Sequence, residues 1–238
     1  MSVYKLKKVD KLKVKRPIGV TIATIFGLVV LISLGAVTFL SSYLMEQDVQ
    51  ITAENNNLSL NTRAAGTVED KLSTIRSNVF QLLDLRSVIS SGRNMSITRQ
   101  AESFFFERNP EIACIYVLSE NSVDRIQGSD DRILNNQFFI SNELDTSVVN
   151  NFLVGYSKEL QRSCNGETIA VNASPFFQLP SMGLMFPWRE NGRNQCCLVV
   201  FSIEGLSDIL GVGSENTTFM INDSDELLSH PDAARILA

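Results

Sequence analysis

Residues 18–40 read IGVTIATIFGLVVLISLGAVTFL, and no charged side chain occurs from Pro17 to Met45. At about 1.5 Å of rise per residue, a helix over this run is about 34 Å long, enough to cross a hydrocarbon core of about 30 Å. The run is longer than the roughly 7–15 apolar residues of a secretory signal. The SSYLM that follows at 41–45 is also a poor cleavage site. Residues 17–45 are therefore read as an uncleaved membrane helix, and the rest of the chain is ordered around it.

Upstream, 1–16 holds Lys5, Lys7, Lys8, Lys11, Lys13, Lys15 and Arg16 against Asp10 alone, a charge of +6. The whole chain carries −5, which leaves −11 for the remainder. Basic flanks stay cytoplasmic. The tail is thus expected inside, and 46–238 outside, the cytoplasmic (inner) membrane. Anionic membrane lipid is an accessory partner for the tail, at about 1 kcal/mol per basic residue; no nucleic-acid partner is expected. With 44% apolar and 20% charged residues, a disordered or collagen-like chain is excluded.

Downstream, 46–91 contains no proline and only Gly66. From Ala65 the apolar positions Val68, Leu72, Ile75, Val79 and Leu82 follow at steps of 3, 4, 3, 4 and 3. That spacing lines one side of a helix, and Glu69, Asp70, Lys71 and Arg76 fall off the seam. A long stalk helix over 46–92 is expected. Its stripe has two possible partners, a second copy of the chain, which would make a homodimer through the stalk, or the chain's own sheet.

Past Gly92 the texture turns to short runs rich in Ile, Val, Phe, Cys and Thr. EIACIYVL (111–118), ETIAVN (167–172), QCCLVVFSI (195–203) and TTFMIN (217–222) read as strands, with 122–127 and 226–230 as partners of their predecessors. Val148, Val149, Phe152, Leu153, Tyr156 and Leu160 recur at helical period, which predicts one helix over 142–164. The fold class is α+β with an antiparallel sheet.

Residues for enzyme chemistry are scarce. His230 is the only histidine, and there is no pair of Cys-x-x-Cys motifs, no phosphate-binding Gly-rich loop and no Gly-x-Ser-x-Gly elbow. No catalytic residue, cofactor or metal is assigned. Cys114, Cys164, Cys196 and Cys197 are either small buried side chains or disulfide partners. Because side chains alternate along a strand, at most one of Cys196 and Cys197 shares a core with Cys114. The stretch 175–190, PFFQLPSMGLMFPWRE, frames aromatic rings with three prolines. Phe186 and Trp188 with Arg189 or Arg193 make a candidate small-molecule site, an aromatic wall plus a guanidinium for a carboxylate. The rival reading is a hydrophobic cluster at a strand edge with exposed arginines.

A short basic tail, one membrane helix, a long outer helix, a PAS-like sheet and then TTFMINDSDELLSHPD resemble the extracytoplasmic Cache sensor region of bacterial receptors. In that family a strand ends in Asp or Asn, a turn with Gly follows, and a second strand ends in a His-Pro-Asp-like element. Here Asp225 or Glu226 stands where Gly is usual. The resemblance implies a distal lobe over 93–206 and the start of a membrane-proximal lobe over 207–238. Residues 46–118 are further similar to the N-terminal part of transmembrane class III adenylate/guanylate cyclases. That likeness implies a sensory region whose cyclase output lies outside 1–238, and a small-molecule ligand of unknown identity. A chemoreceptor or histidine kinase could carry the same outer module; an anchored surface enzyme or a structural protein are the readings outside signalling.

Overall fold

The computed structural model describes residues 17–91, 95–119, 132–190, 193–206 and 218–237. The basic tail 1–16 and the strand expected over 122–127 lie outside these residues. The chain divides into two units, one up to Leu58 and one from Ser59 on.

Helix α1 runs over Ile18–Ser91, 74 residues without a break. The expected membrane helix and stalk are one element, as the absence of proline allows. In the first unit its apolar side chains, among them Phe26, Leu31 and Phe39, are exposed. Three of its hydroxyls fold back onto the helix: Thr24 donates to the Val20 carbonyl at 2.9 Å, Ser33 to Val29 and Thr38 to Leu34, both at 2.8 Å. Such bonds satisfy these three hydroxyls within the helix on an otherwise apolar surface. This is one candidate membrane-spanning helix near the N-terminus.

The second unit is built on a five-stranded antiparallel sheet of order β2-β1-β5-β4-β3. Its strands are β1 (Ile112–Ser119), β2 (Arg132–Leu134), β3 (Ile169–Asn172), β4 (Ser181–Glu190) and β5 (Arg193–Ser202). The central pairing is β4 with β5, in unbroken register from Ser181↔Ser202 to Glu190↔Arg193. Strand alternation sends Met182, Leu184 and Phe186 with Cys197, Val199 and Phe201 to one face. Met185 with Cys196, Leu198 and Val200 goes to the other. All four cysteines are buried, and none is in a disulfide. Cys196 shares its core with Cys114 and Cys164 while Cys197 sits on the opposite face, as alternation requires.

The first face is covered by α1. Ala64, Val68, Ile75, Val79, Leu82 and Leu83 are buried against the sheet, with Leu72 partly so. The helical stripe thus packs on the chain's own sheet from Ala64 upward, and Ala64, not Ala65, starts it. Helix α2 (Met95–Arg108) adds Phe105 and Phe106 to this core. The β-rich texture expected after Gly92 therefore begins only at Ile112. Along the Phe104-Phe105-Phe106 run, Phe104 is exposed and Phe106 buried, as on a helix flank.

The second face is covered by α3 (Asn136–Ser141), α4 (Val148–Gly155), α5 (Ser157–Cys164) and α6 (Ser174–Phe177). The single helix expected over 142–164 is broken at Tyr156, whose φ of −110° and ψ of 29° are not helical. The break suits local packing. A Cβ on Gly155 would stand 2.9 Å from the Phe176 ring, and the Tyr156 ring is tilted against that of Phe152, centroids 5.0 Å apart.

The hairpin of β6 (Met220–Ile221) and β7 (Leu227–Ser229) docks beside β3. Asn222 Nδ2 donates to the Ala170 carbonyl at 3.0 Å and to Glu226 Oε2 at 2.9 Å. The Tyr156 hydroxyl reaches the Asn172 carbonyl at 2.9 Å and also the Glu226 carboxyl. Burial, followed by the hydrogen bond and charge of Glu226, pushes the phenol far above its ordinary value, so Tyr156 keeps its proton. In the turn, Asp225 adopts φ +60°, the left-handed backbone that glycine takes most easily.

Candidate functional site

Strand β4 is the central strand that sequence reading missed. Prolines at 175, 180 and 187 argue against a central strand. Pro180 precedes the strand, and Pro187 lies where β4 has outrun β3, whose pairing ends at Met185↔Ile169. The ring therefore removes no bond to a second neighbour. The rings at 186 and 188 accordingly point to the same side of the sheet, toward α1.

On the helix, Leu72, Arg76 and Phe80 follow at steps of four and form one row. The row meets β4. Phe80 lies edge-on to Phe186, centroids 5.1 Å apart, and stacks on Trp188 at 5.1 Å and 26°. The Arg76 guanidinium carbon stands 5.2 Å from the Phe80 centroid and 5.4 Å from that of Phe186. Each ring offers its electron-rich system to the cation, which is worth about 0.5–1 kcal/mol per contact at such sites. Arg76 Nε is nevertheless buried without a hydrogen-bond partner. A buried, unmet donor costs about 1–3 kcal/mol. Among the described residues no carboxylate pairs with Arg76; the ion pairs nearby on α1 and α2 are Lys71 with Glu111 at 2.9 Å and Arg86 with Glu102 at 3.6 Å.

Arg76 lines a groove of about 790 Å³ between α1, β4 and the segment that enters β6. Val68 and Leu72 form one wall, Leu184 and Met220 another, and Glu69 is on the helix side. A second, shallower hollow of about 620 Å³ lies beyond Phe80, between Asp84, Trp188 and Arg189.

The residues singled out from the sequence fare differently. Phe186 is fully buried, a floor for Arg76 and not a pocket wall. Trp188 is half-buried against Phe80 and borders the second hollow. Arg189 is exposed and donates from Nε to Asn194 Oδ1 at 3.0 Å. The Arg193 side chain lies outside the described residues. Arg76 and Phe80, the helix partners of this cluster, escaped sequence reading because Arg76 looked like an ordinary charge beside an apolar seam. The four-residue steps from Leu72 through Arg76 to Phe80 were the available signal. Glu69, likewise placed off the seam, lines the same groove.

No group of three or more His, Cys, Asp or Glu able to hold a metal occurs among the described residues. The buried thiols are no nucleophiles either, because desolvation pushes Cys114 and Cys197 well above the ordinary thiol range. The cleft offers a fixed cation, an aromatic floor and apolar walls, a set suited to binding. Comparison of the chain with family profiles, with curated proteins and with solved structures finds no match in any of the three, so the function has to be read from the chemistry of this cleft.

Proposed function

We propose that the chain is the membrane-anchored, extracytoplasmic sensory region of a signal-transduction receptor, with residues from about 93 on forming a PAS-like Cache lobe. The output we assign is a cytoplasmic adenylate/guanylate cyclase outside residues 1–238. One observation carries the reading: the helix with the membrane-length apolar segment is the same continuous helix that lines the ligand-sized groove. A ligand seated there touches α1 directly. It biases the output only through its different affinity for two packings of α1 on the sheet. The helix-covered antiparallel sheet and the hairpin with Asp225 in the glycine-like conformation support the Cache likeness.

The test begins with the reading frame past codon 238. A second apolar segment followed by a cyclase domain is expected, and the full-length product should raise cyclic nucleotide in a cyclase-deficient host. A kinase or methyl-accepting domain there would instead establish the chemoreceptor or histidine-kinase reading. A frame that closes without a second apolar segment overturns both.

A further inference from the structure

We propose that the groove between α1 and β4 binds a small organic monocarboxylate, its acid group on Arg76 and its apolar body along Val68, Leu72 and Leu184. For its signalling consequence the proposal rests on the sensory reading above; for binding it stands on the groove alone. The volume of about 790 Å³ falls within the range of small-molecule clefts. Arg76 is the cation in that wall, and its guanidinium carbon lies over the rings of Phe80 and Phe186. A guanidinium held by ring faces makes no hydrogen bond to them and keeps its N–H groups for a carboxylate, which it can grip with two parallel bonds. Contact with the two rings also restricts the side chain, so less freedom is lost on binding.

The absence of an acid partner among the described residues and the unmet Nε indicate a cation not satisfied by the protein itself. Glu69 narrows the ligand class. It lies two helical turns before Arg76 on the same groove, about 10 Å along the axis at 1.5 Å per residue. A second negative charge on a ligand reaching down the groove would meet that carboxylate, which disfavours dicarboxylates. The apolar lining between the two charges asks for a hydrocarbon body.

The experiment uses the full chain in nanodiscs of uncharged phosphatidylcholine, with cyclohexanecarboxylate as probe and cyclohexanecarboxamide as its neutral twin. Trp188 is the chain's one tryptophan and stacks on Phe80, itself against Arg76, so its fluorescence reports on the cleft; calorimetry provides an independent readout. The acid is expected to bind saturably and the amide at least about tenfold more weakly, the scale of a lost hydrogen bond to a charged group. Arg76→Gln should weaken the acid by a similar factor and leave the amide unchanged, with Arg76→Lys between. Equal binding of acid and amide overturns the proposal, as does an Arg76→Gln protein that binds the acid normally, or no saturable binding of the acid by either readout. The acid-amide comparison decides on the unmodified chain even if a variant fails to fold. Failure here leaves the receptor reading to stand or fall on the reading frame.

Discussion

The two faces of the central sheet are covered by helices of different kinds. On one, four short helices press an aromatic core of Phe138, Phe139, Phe152 and Phe177 together with three thiols against the strands. On the other, the long helix α1, with α2 beside it, covers the strands and leaves a groove with a cation in its wall. Several short helices can each adjust to fill space to the density of a protein interior. One straight helix on a twisted sheet contacts it along a line and diverges on either side. Both faces bury a core, and the face under α1 is the one where a groove leaves room for a ligand to enter.

The largest expected effect tests that division directly. Phe152→Ala on the dense face should cost about 3–5 kcal/mol, against about 1–2 kcal/mol for Phe80→Ala in the half-open cleft. Denaturant unfolding of the two variants checks the order, and a reversal would break the comparison.

Gly183 sharpens it. A Cβ there would stand 2.6 Å from Phe152 Cζ and 3.0 Å from Val171 Cγ2, both on the dense side. Gly183→Ala is expected to cost about 1–3 kcal/mol by overpacking. Combining it with Phe152→Leu should cost less than the sum of the two changes, because the smaller side chain frees the space; a thermodynamic cycle measures the coupling.

Tyr156→Phe removes the hydroxyl shared by Asn172 and Glu226 and should lower stability by about 1 kcal/mol. Faster amide exchange over Leu227–Ser229, with the sheet unaffected, is the expected signature of a loosened hairpin.

The smallest effect is a pH dependence on the α1 and α2 side. Burial raises the Glu102 carboxyl above its ordinary value, against the opposing pull of Arg86 and Arg99. A raised folded pKa means that the native state binds the proton first as pH falls. This group's contribution is therefore full below the unfolded carboxylate pKa and is lost as pH rises through the raised one. Glu102→Gln should flatten that segment of the stability–pH curve, and an unchanged slope would assign it to another carboxyl.

Much of this organisation was legible locally. The uncharged 18–40 run, the missing prolines through residue 91 and the stepped apolar stripe define α1, because helix formation depends on residues three and four apart. EIACIYVL, QCCLVVFSI and ETIAVN announce β1, β5 and β3 by their β-branched and apolar content. Strand β4 was hidden by prolines whose harm depends on where β3 ends, a fact of pairing and not of composition. Helix α2 was hidden by three consecutive phenylalanines, and the break at Tyr156 by an apolar period that runs through it. Of the cleft, Phe186 and Trp188 drew notice as aromatic residues, while Arg76 was marked only by its four-residue steps from Leu72 and to Phe80, which a solvated charge can share.

The sequence by itself determined the apolar span, the charge asymmetry across it, the long helix and the alternation that separates Cys196 from Cys197. Each follows from the geometry of near neighbours along one chain. Only the tertiary structure decided that the helical stripe from Ala64 upward covers the chain's own sheet and that Arg76 lies on Phe80 and Phe186 at the edge of a groove. Which surface buries an apolar face, and which charge is left without a partner, depends on residues more than a hundred positions apart, such as Arg76 and Phe186.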